Sequence, residues 1–486
     1  MIRILIKKKR VFITFLLLLI TISALADYPI FTQRYTADPW GLEYNGRLYL
    51  YCSADFLQTG PNGPEPGYYM KSITCISTDD MKNWTDHGEV FDVKDSKWGA
   101  HLSWAPCVVR RNNKFYLYYG NGDRGIGVAV SDSPTGPFVD SNKGPVVDHG
   151  TPGVLLLDDD NKPKMNNAEA PGALRGSEAW GMWCFDPSVL IDDDGQAYMY
   201  FGGAHPDNAR VIKLKENMVE TDGGAVKVNT PGFFEASYVH KYRGKYYYSY
   251  AGHYFSSPAN IEYVVSDSPM EGFDSPSLIM SNPPVNDGMN NHHSIFQFKG
   301  EWYIAYHNRQ VARDNKVAER RYREYMRNVA IDRLYYNADG TIRQVIPTVD
   351  GVPQLKNFDP YKWTSATVMA HAHGVNTEAD GKGGRYLSDV KDSSWIVIKG
   401  VDFGMHGAKR FMAKVASDGK GGKIEIRLGD PDGVMVGSLE VNNTGGKQNW
   451  VEKSCLVSNA VGVRDLYLVF RGQGDHLLTL SSWQFD

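Results

Sequence analysis

Five short segments of the chain place a chemically useful residue at nearly the same distance before a polar turn. Asp38-Pro39, Ala105-Pro106, Asp186-Pro187, Glu235-Ala236 and His292-His293 each begin eight or nine residues before the second residue of such a turn. An isolated Asp-Pro at the start of a strand is ordinary turn chemistry. Three carboxylates at matched positions of a repeat call for another explanation. If the repeat brings them together, one ionised carboxylate can activate a water while a second, kept protonated, gives its proton to a leaving oxygen. In the inverting form of this glycosidic chemistry the two stand ~6.5–9.5 Å apart, which leaves room for the water. A third carboxylate raises the acid's pKa by like-charge repulsion. Asp38, Asp186 and Glu235 are therefore the candidate catalytic residues.

The elements that must position them are legible in the same repeat. The turns are followed by alternating aromatic and aliphatic residues: Leu48-Tyr49-Leu50-Tyr51, Phe115-Tyr116-Leu117-Tyr118, Ala197-Tyr198-Met199-Tyr200, Tyr246-Tyr247-Tyr248 and Trp302-Tyr303-Ile304. Each turn is also preceded by a short apolar run, so each copy reads as a β-hairpin. Ser131-Asp132-Ser133-Pro134 and Ser266-Asp267-Ser268-Pro269 add a further strand and capping turn after two copies. Hairpin units repeating at ~50–80 residues are the trace of propeller blades. The expected fold class is all-β, a five-bladed β-propeller followed by a β-sandwich. The inner strand of every blade lines the channel, so the matched residues converge at one mouth.

The segments around these residues resemble a known family. Tyr35-Thr36-Ala37-Asp38-Pro39, Trp104-Ala105-Pro106, Phe185-Asp186-Pro187-Ser188, Glu235-Ala236-Ser237, Asn291-His292-His293-Ser294-Ile295 and Tyr306-His307-Asn308 are similar, in order, to the blade-start motifs of glycoside hydrolase family 43. The resemblance implies an inverting enzyme with Asp38 as general base, Glu235 as general acid and Asp186 as the group that tunes and positions the acid. It also implies release of arabinofuranose or xylose from plant-type polysaccharide, with arabinose side chains of xylan or arabinan as the leading substrate. A β-xylosidase, or another pentose- or galactose-specific exo-glycosidase, is the neighbouring alternative. A non-catalytic sugar-binding propeller is the alternative of another class, and three clustered carboxylates argue against it.

No cofactor is required by this chemistry. The resemblance makes His292 a candidate neighbour of a structural calcium in the channel, although calcium prefers oxygen ligands and the register leaves His293 open as the axial residue. Trp104, Trp40 and Phe185 are candidate sugar-stacking residues, with Phe56, Trp98, Trp183, Phe234 and Tyr254 also near strand starts or in loops. Arg309 and Arg327 are candidates to hydrogen-bond a sugar or pair with a carboxylate. The insert from Ser141 to Trp180 is expected to form a rim loop at the pocket.

Residues 1–26 read as a secretory signal. Arg3, Lys7, Lys8, Lys9 and Arg10 precede an apolar run that ends at Ala24-Leu25-Ala26. Its removal moves the net charge from −4 to −9, which excludes the basic footprint of a nucleic-acid binder and leaves no span in the mature chain. Export to the periplasm or medium is expected. The five cysteines form no C-x-x-C pair and predict one disulfide or none.

The propeller is expected over residues 27–355 and the sandwich over 356–486. After Ile346 the blade pattern stops, and strand-like runs return at Ser394–Ile398, Lys423–Leu428 and Asp465–Phe470. Thr444-Gly445-Gly446, Trp450 and Trp483-Gln484-Phe485 resemble a family 6 carbohydrate-binding module. Lys447 and Leu480-Ser481-Ser482 depart from that pattern at positions where it places sugar contacts, which implies weak or absent binding there. The partners implied for the whole chain are a polysaccharide or oligosaccharide.

Overall fold

The computed structural model describes residues 30–61, 63–155, 182–253, 259–283, 285, 286, 288 and 290–486. The signal segment, Tyr254 and the part of the insert from residue 156 to 180 lie outside them. Five antiparallel sheets follow one another along the chain. Their inner strands are Thr36–Tyr44, Trp104–Arg111, Ser188–Ile191, Phe233–Tyr242 and His293–Phe298. Each inner strand touches the next, and the fifth touches the first, so the sheets close into a five-bladed propeller around a channel.

Four of the hairpins turn on two residues with positive φ: Asn45-Gly46, Asn112-Asn113, Arg243-Gly244 and Lys299-Gly300. This is the turn whose twist matches that of the flanking strands. Blade 3 uses the longer Asp192–Gln196 connection, with Gly195 at positive φ. The longer turn accounts for its wider count-back.

The blades are tied to each other by tyrosines of the second strands. Tyr51 donates to the carbonyl of Pro134 (2.6 Å), Tyr118 to Met218 (2.6 Å) and Tyr200 to Pro269 (2.6 Å). The two Ser-Asp-Ser-Pro turns are thus acceptors for the preceding blade. Blades 1 and 5 meet closely at Gly41, whose amide donates to Ser294 Oγ at 3.2 Å. A Cβ at Gly41 would lie 2.2 Å from the Phe296 ring, so no other residue fits there.

The first part of the insert packs into the propeller. Val146, Val147 and Val154 are buried, and the carbonyls of Gly153 and Val154 accept from Arg210 Nε at 3.2 and 3.0 Å. All five cysteines are unpaired. Among the described residues no helix is long and apolar enough to cross a membrane.

The C-terminal region is a sandwich of two antiparallel sheets. One runs in the order Asn376–Ala379, Arg385–Ser388, Thr479–Phe485, Ala408–Ser417, Gly446–Ala460; the other His371–His373, Trp395–Asp402, Val463–Arg471, Gly422–Leu428, Val434–Val441. Phe411, Leu468, Trp483 and Phe485 fill the space between them. Before entering the sandwich, Val368–Met369 pairs with Trp84–Thr85 and adds a fifth strand to the outer edge of blade 1. Asn83 and Lys399 hydrogen-bond reciprocally at 3.0 and 2.8 Å, and Asp86 accepts from both Arg34 and Thr377. The seam is backbone pairing and buried polar bonds, which leaves little freedom for one region to swing on the other.

Candidate active site

The mouth of the channel is built by a backbone irregularity repeated around the ring. Asp38, Ala105, Asp186 and Ala236 all adopt positive φ, between 44° and 63°. In blades 1, 2 and 4 the inner strand carries an extra residue here against its partner. Such bulges re-aim side chains at sheet ends, and four non-glycine residues held in this conformation are a strained feature of the kind found at functional sites. Asp38 and Asp186 hold the positive-φ position of their blades and are only 4 % and 5 % exposed. Glu235 stands one residue earlier, at the position that Trp104 and Phe185 hold in blades 2 and 3. The sequence count, tolerant by a residue, merged these two positions. Glu235 and Trp104 are the more exposed pair at the mouth.

Blade 5 contributes histidines and an arginine. Arg327 ends the excursion that runs from Arg309 through two short helices, Gln310–Asp314 and Arg320–Arg323. Its Nη1 donates to Asp38 Oδ1 at 2.6 Å, while Nε and Nη2 grip the two oxygens of Asp55 at 2.8 Å each. The Tyr68 ring lies 5.1 Å from the same guanidinium. His307 Nδ1 accepts the Asp38 amide at 3.4 Å, and its Nε2 faces the Asn290 carbonyl at 3.2 Å. One tautomer, protonated on Nε2, satisfies both contacts.

His292 is the residue that sees two catalytic candidates at once. Its Nδ1 is 3.7 Å from Asp38 Oδ1 and 3.7 Å from Asp186 Oδ2. His293 turns away, with Nε2 2.7 Å from Ser249 Oγ and its ring against Tyr238, so the axial residue is His292. Asp186 Oδ2 also accepts the amide of Ala236 at 2.8 Å, which ties it to the residue following Glu235.

These contacts split the carboxylates electrostatically. Burial alone would raise the pKa of Asp38, but the Arg327 guanidinium outweighs it and holds the group below the usual carboxylate range. Asp186 and Glu235 go the other way. Burial pushes both up; Asp38 adds repulsion to each and Asp186 adds more to Glu235, against weaker help from Arg327. Glu235 rises well above its ordinary value. Burial lowers His292 to about 4 and His307 to about 3, so both imidazoles are neutral near pH 7.

A metal fits this set poorly. Among the described residues no group of three or more His, Cys, Asp or Glu side chains could hold an ion. Beside the single His292 nitrogen, Asp38 Oδ1 is taken by Arg327 and Asp186 Oδ2 by an amide. Calcium wants six or more oxygens.

The candidate sugar contacts divide. Phe185, Trp183 and Phe234 form a cluster with ring centroids 5.4–5.5 Å apart, and Trp104 packs on Phe185 at 6.3 Å. Trp183 and Phe185 precede Asp186 in sequence and Phe234 precedes Glu235, so the cluster stands beside both carboxylates. Trp40 moves out of the set. It is a wedge between blades, its Nε1 spent on the Val108 carbonyl at 2.8 Å and its ring on Tyr238 at 4.9 Å. The two arginines are committed to protein rather than open to sugar. Arg309 is fully buried and makes four side-chain hydrogen bonds, to Asn286, Asn290 and twice to the Glu324 carbonyl. Trp98 bonds the Tyr119 hydroxyl at 2.9 Å, and Phe56 is 39 % exposed beside Asp55. Asp55 and Tyr68 were not singled out by sequence, and His307 entered only within the Tyr306-His307-Asn308 motif, without a role. Their roles arise from contacts more than 200 residues away for Asp55 and His307.

In the sandwich, the hollow at Lys447, Ser388 and His476 holds about 10 Å³, too little for a sugar. Trp483 is core. Trp450 packs edge-on against Tyr386 and borders a wider hollow of 390 Å³.

A propeller mouth that lowers the pKa of one carboxylate and raises that of another beside an aromatic wall has the makings of a carbohydrate-active hydrolase of the acid–base kind. The chain belongs to glycosyl hydrolases family 43, an inverting family, whose model matches residues 26–162 and 167–342, and it carries a carbohydrate binding module of family 6 at residues 365–486. It is 38 % identical to an arabinoxylan arabinofuranohydrolase of Paenibacillus polymyxa, over 94 % of this chain and 74 % of that one. The crystal structure of a family 43 arabinoxylan arabinofuranohydrolase from Bacillus subtilis, solved with cellotetraose, superposes with a TM-score of 0.82 at 36 % identity, covering 94 % of this chain and 97 % of the other. An α-L-arabinofuranosidase from Clostridium thermocellum is 54 % identical with a TM-score of 0.53, over 68 % of this chain and 99 % of that one.

Proposed function

We propose that the protein removes terminal α-L-arabinofuranosyl side chains from arabinoxylan, with Asp38 as general base, Glu235 as general acid and Asp186 as the charge that keeps Glu235 protonated. The observation that carries these roles is the opposed environment of the carboxylates. Arg327 stabilises the ionised form of Asp38, whereas Glu235 is partly shielded from water and repelled by two acids. Asp38 then deprotonates a water as it attacks the anomeric carbon. Glu235 protonates the departing oxygen of the main chain, and the product leaves with inverted configuration. His292, neutral between Asp38 and Asp186, separates the two charges without adding one. Trp104 and Phe185 supply the apolar face on which the sugar ring rests.

The substrate follows from relatives that span nearly the whole chain, two-region layout included. The segment 1–26 directs export, which suits a substrate too large to enter a cell. Hydrolysis of nitrophenyl arabinofuranoside, xyloside and galactofuranoside tests the assignment. Turnover is expected to be highest on the arabinofuranoside, and preference for the xyloside would overturn it.

A further inference from the structure

A cleft lies over the catalytic end of blade 1. Along blade 1 the strand ends nearest the channel mouth are set in line by register: Thr36 pairs with Ala54, Ser53 with Ile73 and Ser72 with Asp92. This line starts two residues from Asp38 and runs from the channel to the blade's outer edge. Over it lies a cleft of 1050 Å³ whose opposite wall is the sandwich, from Val375, Asn376 and Thr377 to Lys391 and His476. Its volume is at the upper end for small-ligand clefts (~300–1,000 Å³).

Two features of the cleft suit a neutral sugar chain. Tyr35 and Phe56 line it, and Phe56 is 39 % exposed although it is large and aromatic. The four basic and four acidic side chains of the lining balance, which gives a charged polymer no preference. Asp55 lines the cleft and, through Arg327, holds Asp38. One side chain therefore separates the two spaces.

We propose that this cleft binds the main chain of the polysaccharide while the channel takes the side-chain sugar to be removed, an inference that rests on the arabinofuranosidase reading above. The sandwich then serves recognition by closing one wall of a shared groove instead of binding sugar at its Lys447 hollow. The main chain lies in the groove at about the level of the mouth, and a branch drops from it toward Asp38 and Glu235.

The test compares kcat/KM on polymeric arabinoxylan with kcat/KM on nitrophenyl arabinofuranoside, for the full chain and for Phe56→Ala and Asn376→Trp. Phe56→Ala removes one stacking face and Asn376→Trp fills the cleft from the sandwich side. Each variant should lose about tenfold on the polymer, the scale of one lost sugar-stacking contact, and keep its rate on the small substrate. Unchanged rate on the small substrate also shows that the variants fold. An unchanged ratio of the two rates overturns the cleft while leaving the activity standing. A wild-type enzyme that leaves arabinofuranosides intact overturns the activity, and the inference with it.

Discussion

Buried carboxylates meet arginine in both regions of the molecule, with opposite results. In the sandwich, Glu425 is surrounded by three cations: Arg427 at 2.9 Å, Lys423 at 3.1 Å and Arg471 at 3.4 Å. Burial would raise its pKa, but these partners win and lower it. At the propeller mouth the balance is reversed. Arg327 is shared between Asp38 and Asp55, and what remains of its field does not offset the burial of Asp186 and Glu235 and the repulsion that Asp38 adds to both. Fully compensated charge makes a structural site. A coupled pair left short of compensation binds a proton more tightly than a free carboxyl does, and with that proton on Glu235 the partner Asp186 carries the charge that an acid catalyst's neighbour supplies.

The largest effect expected from breaking this contrast is at Asp38. Asp38→Asn keeps the shape of the side chain and removes the base, and kcat should fall by roughly 10³-fold or more on every substrate. Glu235→Gln should cost as much on arabinoxylan and far less on a nitrophenyl glycoside, whose leaving group needs little protonation. Equal losses on both substrates would remove Glu235 from the acid's role.

Next in size is the shared arginine. Arg327→Met leaves Asp38 and Asp55 buried without their cation, which should destabilise the fold by about 3–5 kcal/mol in thermal or urea unfolding. In whatever folded protein remains, the pKa of Asp38 rises, because the charge that held it down is gone. The acidic limb of the kcat/KM profile should therefore move up. A limb that does not move would show that Arg327 is only a scaffold.

The smallest effect is predicted where compensation is complete. Glu425→Gln should shift the melting temperature and leave both limbs of the pH profile in place, since Glu425 belongs to the sandwich sheets and not to the mouth. A change in the profile would mean that the two regions are electrostatically linked.

Much of the fold could be read from sequence because it rests on local signals. The turns that set the hairpins sit in the chain beside the strands they join, and period-two alternation marks the strands. The three carboxylates were visible because a repeat makes distant positions comparable. What escaped was set by tertiary contact. Asp55 and Tyr68 acquire their roles by meeting Arg327, which arrives from the far end of blade 5. Arg309 and Arg327 read as partners of either a sugar or a carboxylate; buried acceptors claim the donors of both, and for Arg327 these are the carboxylates of Asp55 and Asp38. Trp40 looked like a stacking platform because it follows Asp38-Pro39; the bulge turns it back between the blades. The strand that Val368–Met369 adds to blade 1 is two residues long and has no pattern to detect.

The central claim is that the charge on Asp186 helps to keep Glu235 protonated, and the pH dependence of kcat/KM in Asp186→Asn tests it most directly. Wild type should give a bell whose alkaline limb follows Glu235, although the apparent value belongs to the coupled pair. Like-charge repulsion raises the pKa of an acid, so neutralising Asp186 lowers that of Glu235. The alkaline limb should move down by about one unit, together with a large loss of rate. An alkaline limb that stays where it is in Asp186→Asn would contradict the account and leave Asp186 as a group that only positions its neighbours.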